Sequence, residues 1–381
     1  MRVTILGAGN GGQTMAADLA ARGADVLLYE YPALADTVAA LRRSGNVIRL
    51  SGALQAEARL HTVTTDIEEA MAFADVVYFV APAFAQAPML EPAVPLFRPG
   101  QIAILVPGNF GSLWLRRRLI EAGTSRGVFL GETDTLPYAC RLRSPGHVDV
   151  WDVKTYTGIG TLPGDECSEV CLRLEQVFPV PFRMYGDVLN VGIANTNMII
   201  HCVTMLMNAG RIENDERGFR FYADGMTESV CAVMEAMDRE RLAVGEALGC
   251  TLTTMYQDAV GTYADDCGGE SLHEALTTCA AYSRHGVDSP RSLAHRYLTE
   301  DVPYLLVPLA ELAALAGIPV PVVTSVITLA ETVHRTSYRS SGRTLESLGL
   351  AGMSREEIIA CVRPQAAAGL ARLATQGTLL S

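Results

Sequence analysis

Met1-Arg2-Val3-Thr4-Ile5-Leu6-Gly7-Ala8-Gly9-Asn10-Gly11-Gly12 opens the chain. Val3 to Leu6 is an apolar run of the length of a buried strand. The next six residues contain G-x-G-x-x-G at Gly7, Gly9 and Gly12. Thr14 to Arg22 is rich in helix formers, and Gly23 ends that helix. Val26-Leu27-Leu28-Tyr29 is a second buried strand, closed by Glu30. Strand, glycine turn, helix, strand is the frame of a dinucleotide site. Gly7 permits the tight turn, Gly9 lets a pyrophosphate approach the backbone, and Gly12 lets the helix pack on the strand. The free N–H groups of the first helical turn, at Asn10, Gly11 and Gly12, hold phosphate together with the helix dipole. Glu30 lies 18 residues past Gly12, in register to accept bonds from the adenosine ribose hydroxyls. A carboxylate there repels a 2′-phosphate, so NAD is favoured, with NADP left open through Arg42 and Arg43.

The remainder of the chain bounds its class. Its 381 residues are 49% hydrophobic and 19% charged, enough for two globular domains. A net charge of −12 argues against a nucleic-acid partner. Lys154 is the only lysine, which excludes a P-loop and restricts any Schiff-base chemistry to that position. The nine cysteines form no C-x-x-C, and no zinc set completes around Cys167 and Cys171, so no metal site is expected. Reduced thiols, a first strand at the N-terminus and no membrane-length apolar run point to a cytoplasmic protein. A homodimer is compatible with the sequence and not specified by it.

Strands alternate with helices through the first part of the chain. Further buried strands are expected at Ala74 to Val80, Ile102 to Val106 and Val128 to Glu132, with helices at 34–43, 67–73 and 112–122. This spacing gives a mostly parallel sheet. Ala81 and Pro82 follow the strand ending at Val80, where a doubly wound sheet faces the nicotinamide half of its cofactor. Val148 to Val153 alternates as a half-exposed strand, and 155–162 is expected to pair with it. From about Asn190 the pattern is helical: 190–208, 227–248, 251–263, 302–316, 322–335 and 355–375. The expected architecture is an α/β Rossmann-type dinucleotide-binding domain over 1–180 followed by an all-α domain over 181–381.

The apolar helix 190–208 carries a polar stripe. Asn190, Asn197, His201, Thr204 and Asn208 are spaced by seven, four, three and four, which puts them on one face. A buried stripe needs partners, either a substrate cleft or a packed hydrogen-bond network. Histidine is the side chain that titrates near neutrality, so His201 is the candidate proton carrier. Glu300 or Asp301 could orient it, and Arg296 could hold a substrate carboxylate by its planar fork. The plain alternatives are helix N-terminal acids and a surface ion pair. The other histidines lack a comparable stripe, with His295 nearest the cleft in sequence.

Four motifs together resemble the opine dehydrogenase family: the glycine-rich start, G-E-T-D-T-L-P-Y-A-C-R at Gly131 to Arg141, N-x-x-x-H at Asn197 to His201, and R-Y-L-T-E-D-V-P at Arg296 to Pro303. The resemblance spans about residues 1–320. It implies reductive condensation of an amino-acid amine with a 2-oxo acid, often pyruvate, through an imine reduced by NAD(P)H. It implies His201 as the catalytic histidine, Asp301 as its partner, and Arg296, Asn197 and Tyr138 as substrate contacts. Cys202 stands where proline is expected after the histidine. Two other readings stay open: a ketopantoate-type or 2-hydroxy-acid reductase with Lys154 as proton donor, and a non-catalytic NAD-binding regulator. Against the first, Lys154 also reads as a cap on an exposed strand.

Overall fold

The computed structural model describes residues 1–262, 268–279 and 289–364. Tyr263, His285 and the 365–375 part of the last expected helix lie outside the described residues. Twelve strands are present among the described residues: β1 Arg2–Leu6, β2 Asp25–Tyr29, β3 Val47–Gly52, β4 Ala56–Arg59, β5 Thr62–Thr64, β6 Val76–Phe79, β7 Ile102–Leu105, β8 Phe129–Thr133, β9 Tyr138–Ser144, β10 His147–Val153, β11 Thr157–Leu162 and β12 Phe182–Asp187. Eight form one sheet in the order β12-β11-β8-β7-β6-β1-β2-β5. Its pairings from β5 to β8 are all parallel, and β11 runs antiparallel to β8. The strand order reverses at β1, between β2 and β6, which is where such sheets receive a ligand. The central strands β6 and β7 are buried at every residue because helices cover both faces. Those helices are α1 Asn10–Ala21, α2 Ala35–Arg43, α3 Ile67–Phe73, α4 Ala83–Leu90, α5 Gly111–Ala122 and α6 Cys167–Leu174.

Two expectations change here. β10 does not pair with β11. It joins β9 and β3 in a separate four-stranded sheet, β4-β3-β10-β9, while β11 enters the main sheet. The apolar face of the small sheet, with Ile48 and Val148, packs on the side chains over α1, whereas the fully buried β11 needs a place inside the main sheet. The domain boundary also moves. β12 lies past residue 180 and still pairs with β11, so the sheet ends at Asp187.

The helical part starts directly after it. Asp187 accepts from Leu189 and Asn190 backbone N–H groups and caps α7, Val188–Ala194. The expected single helix over 190–208 is two helices, because Asn195 takes φ −67°, ψ 98° and α8 begins at Asn197 and runs to Met207. The stretch Val188–Met207 has the length and hydropathy of a membrane span, yet 89% of it is buried inside the protein. Helices Glu228–Ala247 and Pro321–His334 pack on α8, and Val307–Ala316 packs on both of them. One apolar cluster runs without interruption from Leu6, Phe79 and Leu105 of the sheet to Met198, Met234, Leu305 and Val323 of the helices. The two parts therefore share a core. Among the described residues seven cysteines are free, but Cys279 is disulfide-bonded, which corrects the expectation of thiols alone.

Candidate active site

The glycine turn is shaped for a dinucleotide. Gly7 has φ +111°, and a Cβ there would lie 2.5 Å from the Val80 carbonyl oxygen. A Cβ on Gly12 would lie 1.8 Å from the Gly7 oxygen, whereas one on Gly9 would meet nothing within 4 Å. Gly7 and Gly12 are thus required by packing. Gly9 leaves its face open, as an approaching pyrophosphate needs. Gly9 caps α1, and the first intrahelical bond runs from Gln13 N–H to the Gly9 carbonyl. The N–H groups of Asn10, Gly11 and Gly12 lack helical acceptors. The Asn10 side-chain oxygen accepts from Leu142 N–H of β9, which leaves its backbone N–H and its Nδ2 group to phosphate.

Glu30 is 5% exposed at the end of β2. Its two oxygens accept from Ala8 N–H (2.8 Å) and Tyr31 N–H (2.7 Å). Burial pushes its carboxyl up, and the two backbone bonds act against that. Each oxygen keeps a lone pair for a ribose hydroxyl. Arg42 donates through Nε to the Val63 carbonyl and makes no bond to this carboxylate. The cradle fits a nicotinamide dinucleotide on the chain's own geometry.

Ala81 and Pro82 lie past β6, and the next residue ties this edge to the helices. Ala83 N–H donates to Glu300 Oε1 at 2.9 Å. Glu300 is 1% exposed, is raised first by burial, and contacts Arg296 Nε at 3.1 Å. Asp301, next in the chain, turns to His201 instead. Its Oδ2 lies 2.6 Å from His201 Nδ1. Pro303 and Pro308 remove two helical donors after it, and Val302–Leu306 winds as a π turn, a form that recurs at functional sites.

His201 Nε2 lies 3.3 Å from the Tyr222 hydroxyl, which lies 3.3 Å from that of Tyr297. Tyr297 stacks on the imidazole at 3.7 Å and 14°. Cys202 Sγ bonds to the Tyr297 carbonyl, so the residue standing in place of proline helps hold that ring. Half-buried His295 meets Tyr297 edge-on at 4.4 Å and is pushed down to about 4 by burial, then by Arg296, His201 and Arg141. It is a neutral neighbour of the pair near pH 7.

The polar stripe divides. Asn190 Nδ2 bonds to the Tyr185 carbonyl, Thr204 to Ile200, and Asn208 to Thr204 and Gly225. Those three serve packing, whereas His201 meets Asp301 and Tyr222, and Asn197 lines a recess. The half-exposed Arg296 keeps the outer part of its guanidinium clear of Glu300. Tyr138 is a correction. It is 4% exposed, and its hydroxyl donates to Asp18 of α1 at 2.8 Å, so it seats the small sheet on α1 and does not reach substrate.

Three features escaped the sequence reading. Tyr222 and Tyr297 had no spacing signal. Lys154 is not an exposed cap: it is partly buried beside Asp134 and donates to Thr135 Oγ1 at 2.7 Å. Arg343 is buried at 7% exposure and donates to the carbonyls of Gly108 and Asn109 and to Gln86. Asn109 and Phe110 there take left-handed φ of 53° and 66°, a strained pair of the kind found at functional sites. Buried Glu132 holds the same loop by accepting from Phe110 N–H and Ser112. Asn195 Nδ2 in turn bonds to Asn109 Oδ1 at 3.0 Å, joining the loop after β7 to the break before α8.

Comparison with known proteins agrees with this geometry. Residues 184–334 match the alpha-helical domain of the NAD/NADP octopine/nopaline dehydrogenases, and residues 2–108 match the N-terminal part of NAD-dependent glycerol-3-phosphate dehydrogenase. An opine dehydrogenase of Arthrobacter sp. (strain 1C) is 31% identical over 94% of this chain and 98% of its own. The chain belongs to the opine dehydrogenase family. A vitopine synthase of Allorhizobium ampelinum is 30% identical over the same shares. In fold, the chain resembles octopine dehydrogenase solved with NADH and agmatine, at a TM-score of 0.76 and 22% identity over 94% and 98% of the two chains. The family makes this chain an NAD(P)-dependent oxidoreductase acting on CH–NH donors, with a Rossmann-type first domain and a helical second one.

Proposed function

We propose that this enzyme condenses the amine of an amino acid with a 2-oxo acid such as pyruvate and reduces the imine with NADH. The observation that carries the reading is the 2.6 Å contact of His201 with Asp301, set beside the Glu300 bond to the edge of the cofactor sheet. Octopine dehydrogenase of the same fold has been solved with NADH and L-arginine and with NADH and pyruvate, which names the substrate classes.

Held by the Gly7–Gly12 turn and Glu30, a bound dinucleotide would supply the hydride for the imine carbon. The chain handles everything else. Asp301 accepts from His201 Nδ1–H, fixing the tautomer and stabilising the imidazolium. Nε2 then carries the working proton. It protonates the carbinolamine oxygen so that water leaves, or the imine nitrogen as the carbon is reduced; in reverse it takes that proton back. The Tyr222 hydroxyl keeps Nε2 hydrogen-bonded until substrate arrives. Arg296 holds a substrate carboxylate with the edge of its guanidinium that Glu300 leaves clear, and Asn197, one turn before His201, contacts the substrate from the same helix face.

NADH is preferred to NADPH because the Glu30 carboxylate occupies the place a 2′-phosphate would need. The seven free cysteines support a cytoplasmic setting, and the Cys279 disulfide counts against it. Oxidation of NADH with pyruvate, with and without added amino acids, tests the reading. Amine-dependent oxidation is expected. A rate that pyruvate alone sustains would instead assign a hydroxy-acid reductase.

A further inference from the structure

A recess of about 50 Å³ opens where the two domains meet. Its walls come from Asp134 and Lys154 of the sheet domain, Asn197 and Ile200 of α8, and Asp258 of the helix Met255–Thr262. Ile200 directly precedes His201 and Asn197 lies one turn before it, so the recess adjoins the proton-handling pair. A substrate whose amine carbon sits at His201 has its side chain next to this recess.

The chemistry of the walls is specific. An ammonium has three donors. Among the described residues Lys154 uses one, on Thr135, and makes no ion pair within 4.0 Å. Asp134 accepts from Gly158 N–H through Oδ1. Asp258 is engaged by Thr253 and by Arg183 at 3.5 Å. Two cations, Lys154 and Arg183, thus stand against two carboxylates, Asp134 and Asp258. A cationic or anionic side chain would upset that balance. An aliphatic one would cut the Lys154 donors and the Asp134 acceptor off from water and give them no partner, which weakens its binding. A carboxamide offers a carbonyl to Lys154 and an NH₂ to Asp134. Burial draws the two groups together in titration, Asp134 up to about 6 and Lys154 down to about 8, the mark of a poorly hydrated site in which such bonds count for more.

We propose that this recess seats the side chain of the amino-acid substrate and selects an uncharged hydrogen-bonding one, a carboxamide above all, with Lys154 as the specificity-determining residue. The proposal rests on the reductive-condensation reading above.

The test is a panel of amino acids at fixed pyruvate and NADH: glutamine and asparagine against norvaline, glutamate and lysine, for the wild type and for Lys154→Met. Glutamine or asparagine is expected to give the highest kcat/KM, about 10²-fold over norvaline, because norvaline leaves the Lys154 donors and the Asp134 acceptor unpaired. Lys154→Met is expected to raise norvaline above the carboxamides while NADH binding, read by fluorescence, stays unchanged. Amine-dependent turnover that is fastest with norvaline, glutamate or lysine overturns the proposal and leaves the reaction class standing. So does a Lys154→Met enzyme that keeps the wild-type ranking. Oxidation independent of every amine overturns both. The wild-type panel decides the matter by itself should the variant not fold.

Discussion

The cradle for the dinucleotide draws on residues between Gly7 and Glu30, and backbone groups do most of its holding. The proton-handling pair draws on His201 and Asp301, 100 positions apart, and side chains hold it. The first is a local property of one strand–turn–helix–strand unit. The second exists only because the sheet domain and the helical domain share one core and are pinned to each other at Ala83–Glu300 and Asn109–Asn195. Damage to the first region should therefore change dinucleotide affinity and little else. Damage to the second should leave affinity alone and stop the chemistry.

The largest expected departure is at the pair. His201→Ala should lower kcat by about 10²–10⁴-fold, the usual contribution of a general acid–base group, with NADH affinity close to wild type in a fluorescence titration. A matching loss of NADH affinity would erase the contrast between the regions. Arg343→Met probes the seam. It removes the cation beside buried Glu132 and frees the strained loop at Asn109 and Phe110, so denaturant unfolding should show a loss of about 3–5 kcal/mol. An unchanged midpoint would mean the seam does not depend on that side chain.

Glu30→Ala acts on the other region. It should weaken NADH by about tenfold, the worth of a hydrogen bond to a charged group, and bring NADPH closer to NADH, with kcat at saturation preserved. The smallest effect is a pH slope. His295 takes its proton at about 4 in the folded enzyme, whereas an unfolded histidine takes it near 6.5. Between those values the unfolded chain binds more protons, so stability falls as pH drops from 6.5 to 4. His295→Gln should be less acid-sensitive than wild type, by on the order of 1 kcal/mol at pH 5 in denaturant melts.

The same contrast explains what the sequence revealed. The glycine spacing, the buried strands and Glu30 in register could be read directly, since each follows from contacts near in the chain. His201 stood out through the stripe on an apolar helix; spacing left Glu300 and Asp301 both open beside it, the family resemblance favoured Asp301, and the fold sets Asp301 at 2.6 Å from the imidazole. Three stripe residues, Asn190, Thr204 and Asn208, turned out to be bonded to nearby carbonyls, which periodicity alone does not distinguish from a cleft. Tyr138 sat inside a motif and was drawn into α1 by Asp18. The break at Asn195 was hidden because the apolar pattern continues across it. Lys154 and Arg343 were misread or unread for one reason: a long cation shows its partners only when distant loops come together.

A double-mutant cycle tests the central claim most directly, with kcat measured for His201→Ala, Asp301→Asn and the two combined. If Asp301 works only by steadying the imidazole, its loss matters no further once His201 is gone, and the double variant matches His201→Ala. Losses that multiply would show that the two groups act separately and would contradict the account.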